Sequence, residues 1–254
     1  MSGYEFLPLV QGYPGKSTEH GGLGWSSVTV LSGHDRLVLV DSGGFGMRSL
    51  LRSRLAEHGI EPGAITDVLL THAHYDHAAN YPLFPRAAVW ISAAEVEWAS
   101  AAGATFMPLP ELYAQDLAHN PRTRRITADG AFLPGLEAFA TPGHTPGCLV
   151  YRAAGTGGPI LFSGDAAKNR AELLSVTADM SLDPAASRAS IERIRDLWRE
   201  DPSTVLVPGH DVPMRWVDGR PRYEGTRRAG IRAWFATDLS ATTSFDLTDP
   251  EGNR

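Results

Sequence analysis

Thr71-His72-Ala73-His74-Tyr75-Asp76-His77 follows directly on residues 65–70 (ITDVLL) and puts four potential metal ligands within six residues. The apolar run before it reads as a strand that ends abruptly at the first ligand. His72 and His74 are two positions apart, so they leave an extended segment on the same side. Asp76 and His77 follow as the chain turns into a helix and point at a second position beside the first. One ion rarely uses four ligands packed this tightly, whereas two adjacent ions can. Imidazole and carboxylate suit zinc, iron or manganese, and an imidazole-rich set favours zinc on availability.

Outward from this segment, three further stretches repeat one local design. Thr141-Pro142-Gly143-His144-Thr145-Pro146-Gly147 is a Gly/Pro-rich turn after a strand, with one histidine at its centre. Ser163-Gly164-Asp165 follows ILFS, and Pro208-Gly209-His210-Asp211 follows VLV. Each presents one ligand on a loop at a strand end, where sites are commonly built. Each alone reads more readily as a turn residue, but beside the first cluster they complete a set of five histidines and two aspartates: His72, His74, Asp76, His77, His144, Asp165 and His210.

The rest of the chain supplies a scaffold. Residues 26–31 (SSVTVL) and 36–40 (RLVLV) read as strands joined by a tight SGHD turn, and 47–58 as a helix closed by Gly59. Residues 87–91 read as a strand and 93–102 as a helix. Residues 136–141, 148–152, 159–163 and 205–207 read as short strands, and 184–200 as an amphipathic helix with Ile191, Ile194, Leu197 and Trp198 on one side. Strands then helix, twice over, predicts an α/β arrangement with helices outside and two sheets inside. Residues 103–125 carry three prolines and several apolar residues, which predicts a lid insertion within one domain spanning 1–254. The tail from about Ser240 is polar and predicts a loose end.

Composition narrows the function. With 254 residues and 43% hydrophobic, one large domain can bury a core. Net charge is −6 with no Lys/Arg run, so nothing proposes nucleic acid as a partner. Cys148 is the only cysteine, so any metal must be held by nitrogen and oxygen. The N-terminal stretch has no basic patch followed by an apolar core, and no apolar run has the length of a membrane span. The expectation is a cytoplasmic protein without membrane contact. His20, His34, His58 and His119 read as ordinary turn, loop or helix-end residues, a place at the pocket mouth with Tyr13 and Trp25 being the lesser alternative for His20.

In order and spacing, HxHxDH followed by His144, Asp165 and His210 resembles the metallo-β-lactamase superfamily of binuclear hydrolases, over roughly residues 26–211. That resemblance implies the four-layer αββα sandwich (metallo-β-lactamase fold). It implies two Zn2+ ions, iron or manganese being the alternatives. His72, His74 and His144 would hold one ion, Asp76, His77 and His210 the other, and Asp165 would bridge. It further implies a metal-dependent hydrolase in which a hydroxide formed from the shared water attacks a carbonyl, with Asp76 orienting it and passing its proton on. Asp41, after RLVLV, resembles an aspartate that supports the first histidine loop, and Thr71 and Thr145 are candidate neighbours of the ligands.

The stretch from His72 to Trp98 (HAHYDHAANYPLFPRAAVWISAAEVEW), with PGHTPG and PGHD, is similar to the N-acyl-homoserine lactonase branch. The implied substrate is a small molecule, a lactone or related ester with an apolar part, covered by residues 103–125. The apolar character of that cover fits a homodimer equally well. One position departs: three residues after the bridging aspartate stands Lys168 rather than the tyrosine often found in that branch. Lys168 is the second catalytic candidate, a point charge able to polarise a carbonyl or bind a carboxylate. The departure keeps thioesters and lactams open as substrates, and an iron-dependent redox enzyme on the same ligands is the reading from another class.

Overall fold

Side chains on neighbouring strand positions divide between two cores, and this alternation sets the layers. Val38 and Val40 face one cluster while Leu39 between them faces another. The computed structural model describes residues 3–19, 21–101, 106 and 109–248. The first sheet takes its strands in chain order: β1 (Glu5–Val10), β2 (Val28–Gly33), β3 (Arg36–Val40), β4 (Asp67–Leu69), β5 (Ala88–Ser92) and β6 (Thr123–Ile126). Its first two pairings are antiparallel and its last three parallel. The second sheet also follows chain order: β7 (Gly130–Leu133), β8 (Leu136–Ala140), β9 (Leu149–Gly155), β10 (Gly158–Gly164), β11 (Val205–Pro208), β12 (Met214–Val217) and β13 (Arg220–Tyr223). There only β10 and β11 run parallel.

Parallel neighbours require crossovers, and the helices supply them. Between β3 and β4 lies α1 (Arg48–Glu57), between β4 and β5 the single turn α2 (Tyr75–Ala78), and between β5 and β6 lie α3 (Ala93–Ser100) and α4 (Glu111–His119). Between β10 and β11 lie α5 (Arg170–Ser175) and α6 (Pro184–Arg199). Leu51, Leu55, Val96 and Leu117 of the first helices pack with Leu39 and Val68 of the first sheet and with Leu70 just after β4. Leu31, Val38 and Leu69 share the middle core with Leu149, Tyr151, Phe162 and Val207 of the second sheet. Val150, Leu161 and Leu206 face Ile191, Ile194 and Trp198 of α6. Helix, sheet, sheet, helix is the four-layer αββα order that the sequence resemblance implies. Among the described residues no helix is long and apolar enough to cross a membrane.

Several elements differ from the sequence reading. β1 contains Pro8, which argues against a strand, but β1 is an edge strand with a register shift at Pro8, where a missing N–H is tolerated. The β12–β13 hairpin turns on Asp218-Gly219, both at positive φ (51 and 77), the signature of a tight hairpin turn. The tail forms a hairpin rather than a loose end: β14 (Gly230–Ala233) pairs antiparallel with β15 (Thr243–Asp246). Of the 103–125 stretch, residues 103–105, 107 and 108 lie outside the described residues. In the remainder, α4 buries Ala114 and Leu117, and β6 joins the first sheet.

Candidate metal centre

The carboxyl ends of β3, β4, β8, β10 and β11 all carry a site residue just beyond their last pairing. His72 and His74 lie on the extended turn after β4, and Asp76 and His77 on α2. His144 lies on the 141–147 loop after β8, Asp165 directly after β10, and His210 after β11. Two backbone bonds draw the loops together, Leu149 N to Thr71 O (2.9 Å) and Gly209 N to Gly164 O (3.0 Å). The approach requires glycine at two places. Gly164 has φ 47, and a Cβ there would meet Thr71 Cβ at 2.5 Å. A Cβ on Gly209 would stand 2.3 Å from Asp165 Oδ1.

Two donor groups result: His72, His74, His144 and Asp165, and Asp76, His77 and His210, each with its ligand atoms within 4.8 Å of one another. Asp165 reaches both, with Oδ1 3.0 Å from His77 Nε2 and 3.3 Å from His210 Nε2, and Oδ2 3.3 Å from His144 Nε2. All seven sequence-predicted ligands are thus brought to one place. Nε2 of His72 and Nε2 of His74 are buried without a hydrogen-bond partner. Buried unpaired nitrogens are costly, and a cation between them would satisfy both. On that ground, and on donor chemistry, the residues fit divalent metal ions.

The ring nitrogens pointing away from the centre are anchored. His77 Nδ1 donates to Asp41 Oδ2 (2.8 Å) and His144 Nδ1 to the Met180 carbonyl (2.7 Å). Thr71 Oγ1 donates to Asp41 Oδ2 (2.9 Å), leaving its lone pair for His72 Nδ1 at 3.1 Å. Such partners fix tautomer and ring orientation. Asp41 also accepts from Thr71 N (2.8 Å) and sits at φ 54, a strained backbone held by its surroundings. Thr145 Oγ1 donates to Glu95 Oε2 (2.8 Å) instead of touching a ligand.

Electrostatics divide the two groups. Burial, with the neighbouring histidines, holds His72 neutral well below the usual imidazole range. Burial likewise brings His74 down to about 3 and His144 to about 4. Burial opposes charge on His210 too, but Asp165 and Asp76 outweigh it and raise it to about 9. His77 is raised in the same way by Asp165, Asp41 and Asp76. Against its own burial, Asp76 is held down to about 2 by His77 and His210.

Lys168 lies beside this centre with its side chain 12% exposed. Nζ donates to the Asp179 carbonyl (2.6 Å) and lies 3.0 Å from Glu172 Oε1. Residues missed in the sequence hold the loops from behind. Asn80 Nδ2 donates to the carbonyls of Ser42, Gly43 and Gly44. Glu95, fully buried, accepts from Ala73 N (2.8 Å), Thr145 Oγ1 and Gly147 N (2.9 Å), and so ties the first ligand turn to the His144 loop. Burial raises its carboxyl to about 7. The sequence held one signal for it: an acid on the same helical stripe as Val96 and Ala99. At the mouth, Phe106 stands 5.5 Å from the His74 ring and 5.7 Å from that of His144, and Trp98 stands 6.0 Å from His74. Tyr13 stacks on Trp25 at 5.0 Å, while His20 lies outside the described residues.

Residues 21–210 match the family model described as the metallo-beta-lactamase superfamily. The chain is 34% identical over 192 residues to human metallo-beta-lactamase domain-containing protein 1, covering 74% of this chain and 64% of that protein. It thus spans just under two thirds of that relative's length. It is 26% identical over 156 residues to an N-acyl homoserine lactonase of a Bacillus species, covering 61% and 59% of the two chains. Among solved structures, a dizinc quorum-quenching lactonase in complex with a product superposes with TM-score 0.65 at 18% identity, over 88% of this chain and 92% of that one.

Proposed function

The chain belongs to the metallo-beta-lactamase superfamily, and from that premise we propose that it is a binuclear metal-dependent hydrolase that opens a lactone or related ester. The observation that carries this reading is Asp165, whose carboxylate lies within 3.0–3.3 Å of histidines from both donor groups. One carboxylate between two nitrogen-rich clusters is the arrangement that holds two ions side by side. In this reading His72, His74 and His144 hold one ion, Asp76, His77 and His210 the other, and Asp165 bridges. Zinc is the metal that the donor set favours. When bound, the ions supply Lewis acidity for a carbonyl oxygen and lower the pKa of water.

The chain's own residues do the rest. Asp76 is the most exposed of the seven at its side chain (22%), which leaves its carboxylate the one most open to substrate and water. Its carboxylate takes the proton of the attacking water and returns it to the leaving oxygen. The rings of Phe106 and Trp98 beside His74 give the entrance an apolar side for a substrate with an apolar part and exclude water there. No serine or cysteine nucleophile is called on, and Cys148 is buried against Thr145 Oγ1.

The test is metal content per chain by elemental mass spectrometry on protein purified without added metal, with lactone and thioester panels run on the same sample. About two zinc ions per chain with lactone turnover is the expected result. Turnover of thioesters alone would move the substrate class, and iron as the main metal would move the chemistry to redox. No metal uptake and no turnover after zinc is restored would overturn the hydrolase.

A further inference from the structure

The position of Lys168, three residues after Asp165, points to a substrate contact, but its geometry points elsewhere. We propose that Lys168 and the buried Glu172 form a positioning unit that presents His144 and His210 to the metal ions, and that Lys168 makes no contact with substrate. The proposal rests on the metal-binding reading above.

A continuous path joins the two histidines through this pair. His210 N donates to the Lys168 carbonyl (2.8 Å), and Lys168 N donates to Glu172 Oε2 (2.8 Å). Asp179 N donates to Glu172 Oε1 (2.8 Å), and Lys168 Nζ donates to the Asp179 carbonyl (2.6 Å). The next carbonyl along the chain, that of Met180, accepts from His144 Nδ1 (2.7 Å). Glu172 is only 4% exposed, and both its oxygens are used. A charge on this carboxylate is also met by a cation, Lys168 Nζ at 3.0 Å from Oε1.

The segment these groups grip also packs Val176 and Ala178 on the outer core, and Lys16 pairs with Asp179, but its turn at Met180 is strained. Val176 and Met180 both have left-handed backbone (φ 54 and 50), a conformation that persists only when the surroundings over-determine it. The Met180 side chain is 40% exposed, so apolar packing does not anchor that residue. Ser181 Oγ adds a bond to Gly143 O (2.9 Å), on the His144 loop itself. Two of the three ammonium hydrogens of Lys168 are directed at Glu172 and Asp179. A lysine engaged in this way is a different device from a tyrosine presented to substrate.

The test uses Glu172→Gln, Lys168→Met and the double variant of the full chain. Three quantities are read: zinc affinity by chelator competition, the His144 Nδ1–H signal in 1H–15N spectra of the metal-free protein, and the kinetic constants of the zinc-saturated enzyme. Each single variant should weaken zinc binding about 10- to 100-fold. The double variant should be no weaker than the poorer single, because the two residues act as one unit. The His144 signal should shift in each, and KM should stay within about twofold. Unchanged zinc affinity and an unchanged His144 signal, with KM raised in Lys168→Met, would overturn the proposal in favour of substrate contact. Should Lys168→Met fail to fold, the nearly isosteric Glu172→Gln decides by the same readouts. Absence of any turnover would sink the hydrolase reading, while the zinc and imidazole measurements would still decide this one.

Discussion

Asp165 and Glu95 are both buried carboxylates beside the same histidines, yet their surroundings set them opposite tasks. Burial works against the charge of Asp165, but His210, His77 and His144 outweigh it and hold it well below the usual carboxylate range. Asp165→Ala is expected to lose both ions and all turnover together, because one side chain serves both donor groups. Elemental analysis beside an activity assay checks this, and full two-ion content in the variant would refute the bridge. Glu95 accepts three hydrogen bonds with no cation beside it among the described residues, and burial raises it from 4.5 to about 7. A raised carboxyl contributes stability that is present below pH 4.5 and lost as pH rises through about 7. Glu95→Gln leaves a backbone or hydroxyl donor unpaired and is expected to cost about 1–3 kcal/mol. That cost should be largest at low pH and shrink above neutrality, as read by urea unfolding at several pH values.

At the scale of elements, α6 shows how a helix serves a loop it does not contain. Its apolar stripe closes the outer core of the second sheet, and Asp183 caps it by accepting from Ala185 N and Ala186 N (3.0 Å each). The same residue's N–H donates to Gly143 O (2.9 Å), beside His144. Asp183→Ala removes the cap and keeps the backbone bond. The expected loss is about 0.5–2 kcal/mol of stability, with zinc content unchanged, measured by denaturant unfolding and elemental analysis. Elements with strong periodicity, α6 above all, were legible in the sequence because one face meets one core. β1 was not, since Pro8 is compatible with a strand only at a sheet edge, and edge position is a tertiary fact. The β12–β13 hairpin carried a readable Asp218-Gly219 turn.

For the whole molecule, the ends of two sheets form one centre, so folding and metal binding are coupled. Without metal, His210 gains carboxylate partners on folding, and its pKa rises from 6.5 to about 9. Such a group adds stability that is fully present below pH 6.5 and lost as pH rises through about 9. Chelator-treated protein should therefore lose Tm across that window, more steeply than zinc-loaded protein, in which an ion takes the proton's place. Parallel slopes for the two forms would show that the ions do not bind at His210. The sequence by itself determined the αββα order and gathered the seven candidate ligands, because strand-end donors at short spacing and alternating apolar runs are local patterns. Only the tertiary structure decided which side chains hold those ligands in place. Asp41 and Glu95 lie far along the chain from the groups they bind, and Lys168, four residues from Glu172, turns inward because Glu172 and Asp179 meet it there. A buried carboxylate takes its role from the donors that folding brings around it, and no spacing in the sequence records them.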